Sequence, residues 1–255
     1  MTLRKLFKRW RYPHKKSAVN YFLDDPRLLF GIPSTPSKLH VASFIERALG
    51  TNIIEALHAF LPQDFQDHIA QVGGADQQGY RLMLYLLVRK YRPQVVVETG
   101  VARGISSAYI LCAMRENCSG HLYSIDLPAK KAAIEEDSNR EKYRYTLSDG
   151  QTHSEYEIGY TVPEFLKERW TLTLDDSRRA LPELMTKLQT IDVFYHDSLH
   201  SYDHMKFEFE TAWPHLKEGG LLLSDDVLWN NAFHEMCKQH ARKPMIYRSF
   251  GMIQK

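Results

Sequence analysis

The chain has 255 residues, 44% apolar and 25% charged, with 33 Lys and Arg against 31 Asp and Glu for a formal net charge of +2. This is ordinary globular composition and excludes a disordered or collagen-like chain. The near balance hides a split: residues 1–16 hold seven basic groups (Arg4, Lys5, Lys8, Arg9, Arg11, Lys15, Lys16) and no acidic one, leaving 26 basic against 31 acidic in residues 17–255, a net of −5 that argues against nucleic acid as a partner.

In chain order, residues 1–40 are punctuated by Pro13, Pro26, Pro33 and Pro36 and read as a basic leader. Leu3, Leu6, Phe7 and Trp10 recur at helical spacing among the basic residues, a pattern that suits either peripheral contact of residues 1–16 with an anionic membrane or partner, or a solvated tail. No small-residue cleavage site follows, and the longest apolar run, Leu82 to Val88, is far short of the ~20 residues of a membrane span. Three cysteines (Cys112, Cys118, Cys237) without a CxxC pair point to a reducing, cytoplasmic setting, with the inner face of a membrane as an option. Residues 41–76 read as a small helical cap or oligomer contact, in line with a homo-oligomer.

A stronger helix follows, with Tyr80, Met83, Leu84, Leu87, Val88 and Tyr91 on one face and Pro93 as its stop. Residues 77–255 then alternate strand and helix patterns, which predicts an α/β fold: a Rossmann-like, doubly wound, mostly parallel seven-stranded sheet with helices on both faces. The expected strands are Gln94 to Glu98, His121 to Asp126, Thr171 to Leu174, Ile191 to His196 and Gly220 to Ser224. A β-hairpin at Met245 to Arg248 and Met252 to Gln254 closes the chain. Residues 127–169 form an insert with a charged helical piece, Lys130 to Lys142, and tyrosines 143, 145, 156 and 160 that either stack on sugar rings or pack a lid.

Val95 to Ser107 reads as strand, glycine turn, helix, with Gly100 and Gly104 giving the backbone its tight turn and Ser106 or Ser107 as helix cap. The helix N-terminus favours an anionic group, whereas Glu98 would repel phosphate and welcome an ammonium group. This acid, gap, Gly, three gaps, Gly pattern resembles the first motif of the class I methyltransferases that use S-adenosylmethionine. The resemblance implies that the Gly100 to Gly104 loop wraps the methionine moiety with Glu98 near its amino group. Asp126, at the tip of the second strand, stands where a carboxylate reads a ribose diol. Asp176 and Ser177 fall where the family holds adenine, or else they cap a helix.

The fourth and fifth strands end in Asp197, with His200 close behind, and in Asp225 and Asp226. In an open parallel sheet these ends face one crevice. Three carboxylates gathered there call for protonation or a cation, and oxygen ligands favour Mg²⁺, Ca²⁺ or Mn²⁺. His200 and His204, at i and i+4, keep a transition-metal site open, although Asp203 and His204 read better as a solvated first turn. The helix after them is expected to bury Tyr202, Met205, Phe209, Trp213 and Leu216.

The block from Asp192 to Phe233, with HDSLHSYDHM and LLLSDDVLWNNAF, resembles the metal-dependent sugar O-methyltransferases of the macrocin O-methyltransferase-like group; with the glycine loop, the likeness covers residues 77–254. It implies S-adenosylmethionine and Mg²⁺ or another divalent cation as cofactors, and metal ligation by Asp197, Asp225 and Asp226. It also places His200 near a small-molecule or glycan acceptor; His200, or an unligated aspartate such as Asp197, would then take the proton from the acceptor hydroxyl, and Asn230 follows the paired acids closely enough to be a further polar contact. The rival readings are an NAD-dependent oxidoreductase, disfavoured by Glu98 and the missing GxGxxG, and a non-catalytic cofactor-binding module tethered by its leader.

Overall fold

The computed structural model describes residues 58, 60–73, 79–127 and 158–255. The leader, residues 41–57, the charged piece Lys130 to Lys142 and tyrosines 143, 145 and 156 lie outside the described residues. Helix α1 spans Gln63–Gln71 and α2 Tyr80–Tyr91. Then β1 (Val95–Thr99), α3 (Ile105–Asn117), β2 (His121–Asp126), a short 3-10 turn (Glu164–Arg169) and β3 (Trp170–Leu174) follow. Next come α4 (Ser177–Leu188), β4 (Ile191–His196), α5 (Tyr202–Ala212), β5 (Leu216–Ser224), α6 (Ala232–Gln239), β6 (Met245–Tyr247) and β7 (Phe250–Gln254).

The strands form one seven-stranded sheet in the order β3-β2-β1-β4-β5-β7-β6. The pairs β1 with β2, β2 with β3, β1 with β4 and β4 with β5 are parallel. Strand β7 runs antiparallel to β5 and β6 antiparallel to β7, so the hairpin closes one edge. The order reverses between β1 and β4, the switch point at which open α/β sheets bind ligands.

The period of two along each strand sends alternate residues into separate cores. Val96, Leu122, Tyr195 and Leu223 pack with α1, α2 and α3, while Val97, Ile125, Phe194 and Leu222 pack with α4, α5 and α6. Burial on both faces explains why these strands are nearly continuous apolar runs. Among the described residues no helix is long and apolar enough to cross a membrane.

Two expected boundaries move for physical reasons. Strand β5 begins at Leu216 rather than Gly220, because Gly219 N–H donates to the Lys255 carbonyl and Lys255 N–H to the Gly220 carbonyl, which extends the pairing with the chain end. Its register against β4 shifts between Ile191 and Val193, and Lys217 in the displaced stretch reaches Asp192 at 3.0 Å. Helix α5 starts at Tyr202, so His200 precedes it, and His204 is buried rather than solvated because its ring turns to Glu208 one turn on. Tyr202 is only partly buried; its hydroxyl donates to Glu235 at 2.6 Å.

Candidate active site

Each face of the sheet carries one fully buried glutamate beneath its C-terminal edge. Glu98 faces α3, and its carboxylate accepts hydroxyls from Ser106 (3.0 Å), Ser107 (2.6 Å) and Ser124 (2.8 Å). Burial pushes its carboxyl up to about 7 in spite of those donors. The two serines therefore do not cap α3; Gly104, at φ +90°, takes the cap position, and the hydroxyls turn inward to the acid. Trp170 extends this network by donating from Nε1 to Ser124 Oγ at 2.9 Å.

On the other face Glu208 of α5 accepts from Thr99 Oγ1 (2.5 Å), His196 Nδ1 (2.6 Å), His204 Nε2 (2.9 Å) and Ser198 Oγ (3.0 Å). Burial alone would raise its carboxyl, but the bonds from His196 and His204 outweigh it and hold the group well below the usual carboxylate range. One ionised side chain thus ties the tips of β1 and β4, the loop after β4 and α5. His204 Nε2 also lies 3.0 Å from Ser177 Oγ at the start of α4. Sequence patterns missed this hub, because Thr99 and Glu208 are 109 positions apart.

The glycine loop is pinned from three sides. Asp126 Oδ2 accepts the amides of Val101 (2.8 Å) and Ala102 (2.6 Å), and Oδ1 that of Leu127 (2.7 Å); burial raises its carboxyl against the pull of those amides. Gly100 has φ +83°, and a Cβ there would run into the Asp197 carbonyl, so the β1 and β4 loops touch. The end of the insert latches on as well: Gly159 N–H donates to the Ala102 carbonyl (2.8 Å) and Thr161 N–H to that of Arg103 (3.0 Å). A Cβ on Gly104 would approach the Gly159 Cα to 2.8 Å, and one on Gly159 would run into the Trp170 ring, which is why both positions are glycine. Tyr160 packs here by accepting from Arg103 Nε at 2.8 Å.

Asp176 caps α4, its Oδ1 accepting from Arg178 N–H at 2.8 Å, while Ser177 is buried against His204. Next to Asp126 in the sheet register stands Leu174, 48% exposed at the end of β3. A partly exposed carboxylate beside an exposed apolar side chain suits a nucleoside, whose diol and base need those two environments.

Asp197 and Asp226 flank His200, and the charge of Asp225 reaches both of them. His200 Nε2 is 3.9 Å from Asp197 Oδ1, and its Nδ1 is 3.9 Å from Asp226 Oδ2. Tyr195 donates its hydroxyl to Asp197 Oδ2 (2.9 Å), and Ser249 its hydroxyl to Asp225 Oδ1 (3.1 Å). Burial, then the charge of Asp225, lifts Asp197 well above the usual carboxylate range, and the same two causes lift Asp226 to about 6. Burial and the neighbouring His196 press His200 down to about 4, so its ring is neutral near pH 7. Among the described residues, none gives the buried His200 Nε2 a hydrogen bond. His200 and His204 do not form a joint ligand pair, since His204 is committed to Glu208. Among the described residues no group of three His, Cys, Asp or Glu side chains is already drawn to metal-binding distance. The donor chemistry nevertheless fits a hard divalent cation, whose charge would offset the repulsion that lifts Asp197 and Asp226. Asn230, whose role the sequence left open, donates to the His200 carbonyl at 3.0 Å and so fixes that loop.

A family model described as a methyltransferase domain matches residues 97–227. The fold is similar to that of the SAH-bound methyltransferase PaMTH1 of Podospora anserina, with 11% identity, TM-score 0.53, and 88% of this chain and 97% of that chain covered. It is also similar to an O-methyltransferase from Bacillus cereus in complex with SAH, with 13% identity, TM-score 0.52, and 84% and 97% covered. Among curated proteins none matches the chain.

Proposed function

The chain belongs to the methyltransferase-domain family as a class I, S-adenosylmethionine-dependent enzyme, and on that premise we propose that it is an O-methyltransferase, aided by a divalent cation, acting on a hydroxyl of a sugar or glycosylated small molecule. The observation that carries the reading is the meeting of Asp197, Asp226 and the neutral His200 at the strand ends, with Gly100 packed directly on Asp197.

S-adenosylmethionine supplies a methyl group already bonded to an excellent sulfonium leaving group. The task left to the protein is to orient and deprotonate a weak nucleophile. The Gly100 to Gly104 loop would wrap the methionine end of the cofactor, and Asp126 and Leu174 would bind the nucleoside end. Asp197, Asp225 and Asp226 would hold the divalent cation, which supplies Lewis acidity to the acceptor hydroxyl. His200 would accept the hydroxyl proton at Nε2, since its ring is neutral and no hydrogen bond among the described residues occupies that nitrogen. The sugar acceptor and the metal are supported by the resemblance of residues 192–233 and by the carboxylate chemistry.

The test is transfer of a labelled methyl group from S-adenosylmethionine to a panel of glycosides, with Mg²⁺ and with EDTA. Mg²⁺-dependent labelling of glycoside oxygen is expected. Labelling that EDTA leaves unchanged would remove the metal, and labelling of nitrogen or carbon acceptors alone would remove the O-methyl assignment.

A further inference from the structure

Immediately after the paired acids the chain makes a sharp turn. Asp226 adopts φ +49°, a left-handed conformation that side-chain-bearing residues seldom take, and Trp229 N–H donates back to the Asp226 carbonyl at 3.0 Å. The turn projects two large apolar side chains outward, Leu228 at 62% and Trp229 at 59% exposure. Adjacent exposed side chains of this size, next to a reactive cluster, mark a binding surface. They edge a cavity of about 490 Å³ that is also lined by Tyr202, Asn231, His234 and Glu235. That volume lies within the ~300–1,000 Å³ of small-molecule sites.

The cavity connects to the reacting groups through its Trp229 wall. The Trp229 indole lies 5.4 Å from the His200 ring, centroid to centroid, at an interplanar angle of 52°. The wall is also preorganised: Asn230 binds the His200 carbonyl and Met205 Sδ through Nδ2, while its Oδ1 accepts Ala232 N–H at 2.9 Å.

We propose that this cavity is the acceptor subsite and that Trp229 is the platform on which a pyranose ring of the acceptor stacks beside His200. The inference rests on the O-methyltransferase reading and adds to it the residue that selects the substrate class. A pyranose has an apolar C–H face and a rim of hydroxyls. The cavity offers the matching pair, the exposed indole of Trp229 and a rim of Asn231, His234 and the Glu235 carboxylate. A wholly apolar ligand would desolvate Glu235, which already holds the Tyr202 hydroxyl at 2.6 Å, without returning a hydrogen bond. A sugar hydroxyl returns one.

Saturation-transfer NMR on the full chain with SAH, using methyl glycosides as probes and cyclohexanol as control, tests the platform directly. Transfer to the sugar C–H protons is expected in the wild type, retained in Trp229→Phe and reduced at least fivefold in Trp229→Ala, with SAH affinity unchanged within twofold in all three. In the labelled-methyl assay Trp229→Ala should raise the glycoside KM at least tenfold and leave kcat within threefold. Equal transfer in wild type and Trp229→Ala, an unchanged KM, or a cyclohexanol signal equal to that of the glycosides would each overturn the platform. Glycoside binding that needs Trp229 but is never followed by methyl transfer would instead count against the O-methyltransferase reading and leave the sugar subsite standing.

Discussion

Nδ1 of His196 lies 2.6 Å from Oε2 of Glu208, with both side chains wholly removed from solvent. The His196 ring packs edge-on against His200 at 5.2 Å, so Glu208 sets the position of the proposed proton acceptor through a second imidazole. Glu208 is a positioning residue. Glu208→Gln keeps the shape but places a donor where one carboxylate oxygen accepted, and we expect kcat to fall on the order of tenfold to a hundredfold with SAH affinity nearly unchanged. Isothermal titration with SAH beside steady-state kinetics separates the two. A proportional loss of both would mean that Glu208 only supports the fold.

Asp225→Asn should lower turnover at least a hundredfold, an effect that excess Mg²⁺ relieves only in part, and should leave SAH binding intact. Kinetics at rising Mg²⁺ check this. Wild-type turnover in the variant would remove Asp225 from the ligand set.

The elevated carboxyl of Glu98 makes stability fall with pH. Its folded value of about 7 lies above the ordinary 4.5, so the folded state binds the proton more tightly than the unfolded one. The contribution is fully present below pH 4.5 and is lost as pH rises through 7. Urea denaturation at pH 5 and pH 8 should show the wild type losing roughly 2–3 kcal/mol relative to Glu98→Gln over that interval. Parallel pH profiles for the two proteins would refute the shift.

Gly100→Ala combines a left-handed φ with a clash against the Asp197 carbonyl, whereas Gly219→Ala, at φ +79°, meets only Gln254 Nε2 at 3.8 Å. Gly219→Ala should cost about 1 kcal/mol, from backbone strain alone. Gly100→Ala should cost on the order of 3 kcal/mol and weaken SAH binding, because the β1 and β4 loops must separate. Equilibrium unfolding of both variants gives the comparison.

The parts of this molecule that sequence patterns predicted are those written within one segment. The runs Val95 to Glu98 and Ile191 to His196 announce strands, Gly100 and Gly104 announce a turn, and a parallel sheet brings Asp126, Asp197 and Asp225 to one edge by topology alone. What stayed hidden depends on distant partners. Ser106 reads as a cap until Glu98 is found beneath it, and His204 reads as solvated until Glu208 and Ser177 enclose it. Trp229 carries no local signal of exposure, since an apolar residue near a strand end is ordinarily core.

Asp126, which holds the Leu127 amide, also accepts that of Ala102, and Gly159 donates to the Ala102 carbonyl, so the residues on both sides of the insert are anchored on the same glycine loop. A substitution that loosens either anchor, at Asp126 or at Gly159, therefore reaches the same turn after β1 from opposite ends of the insert.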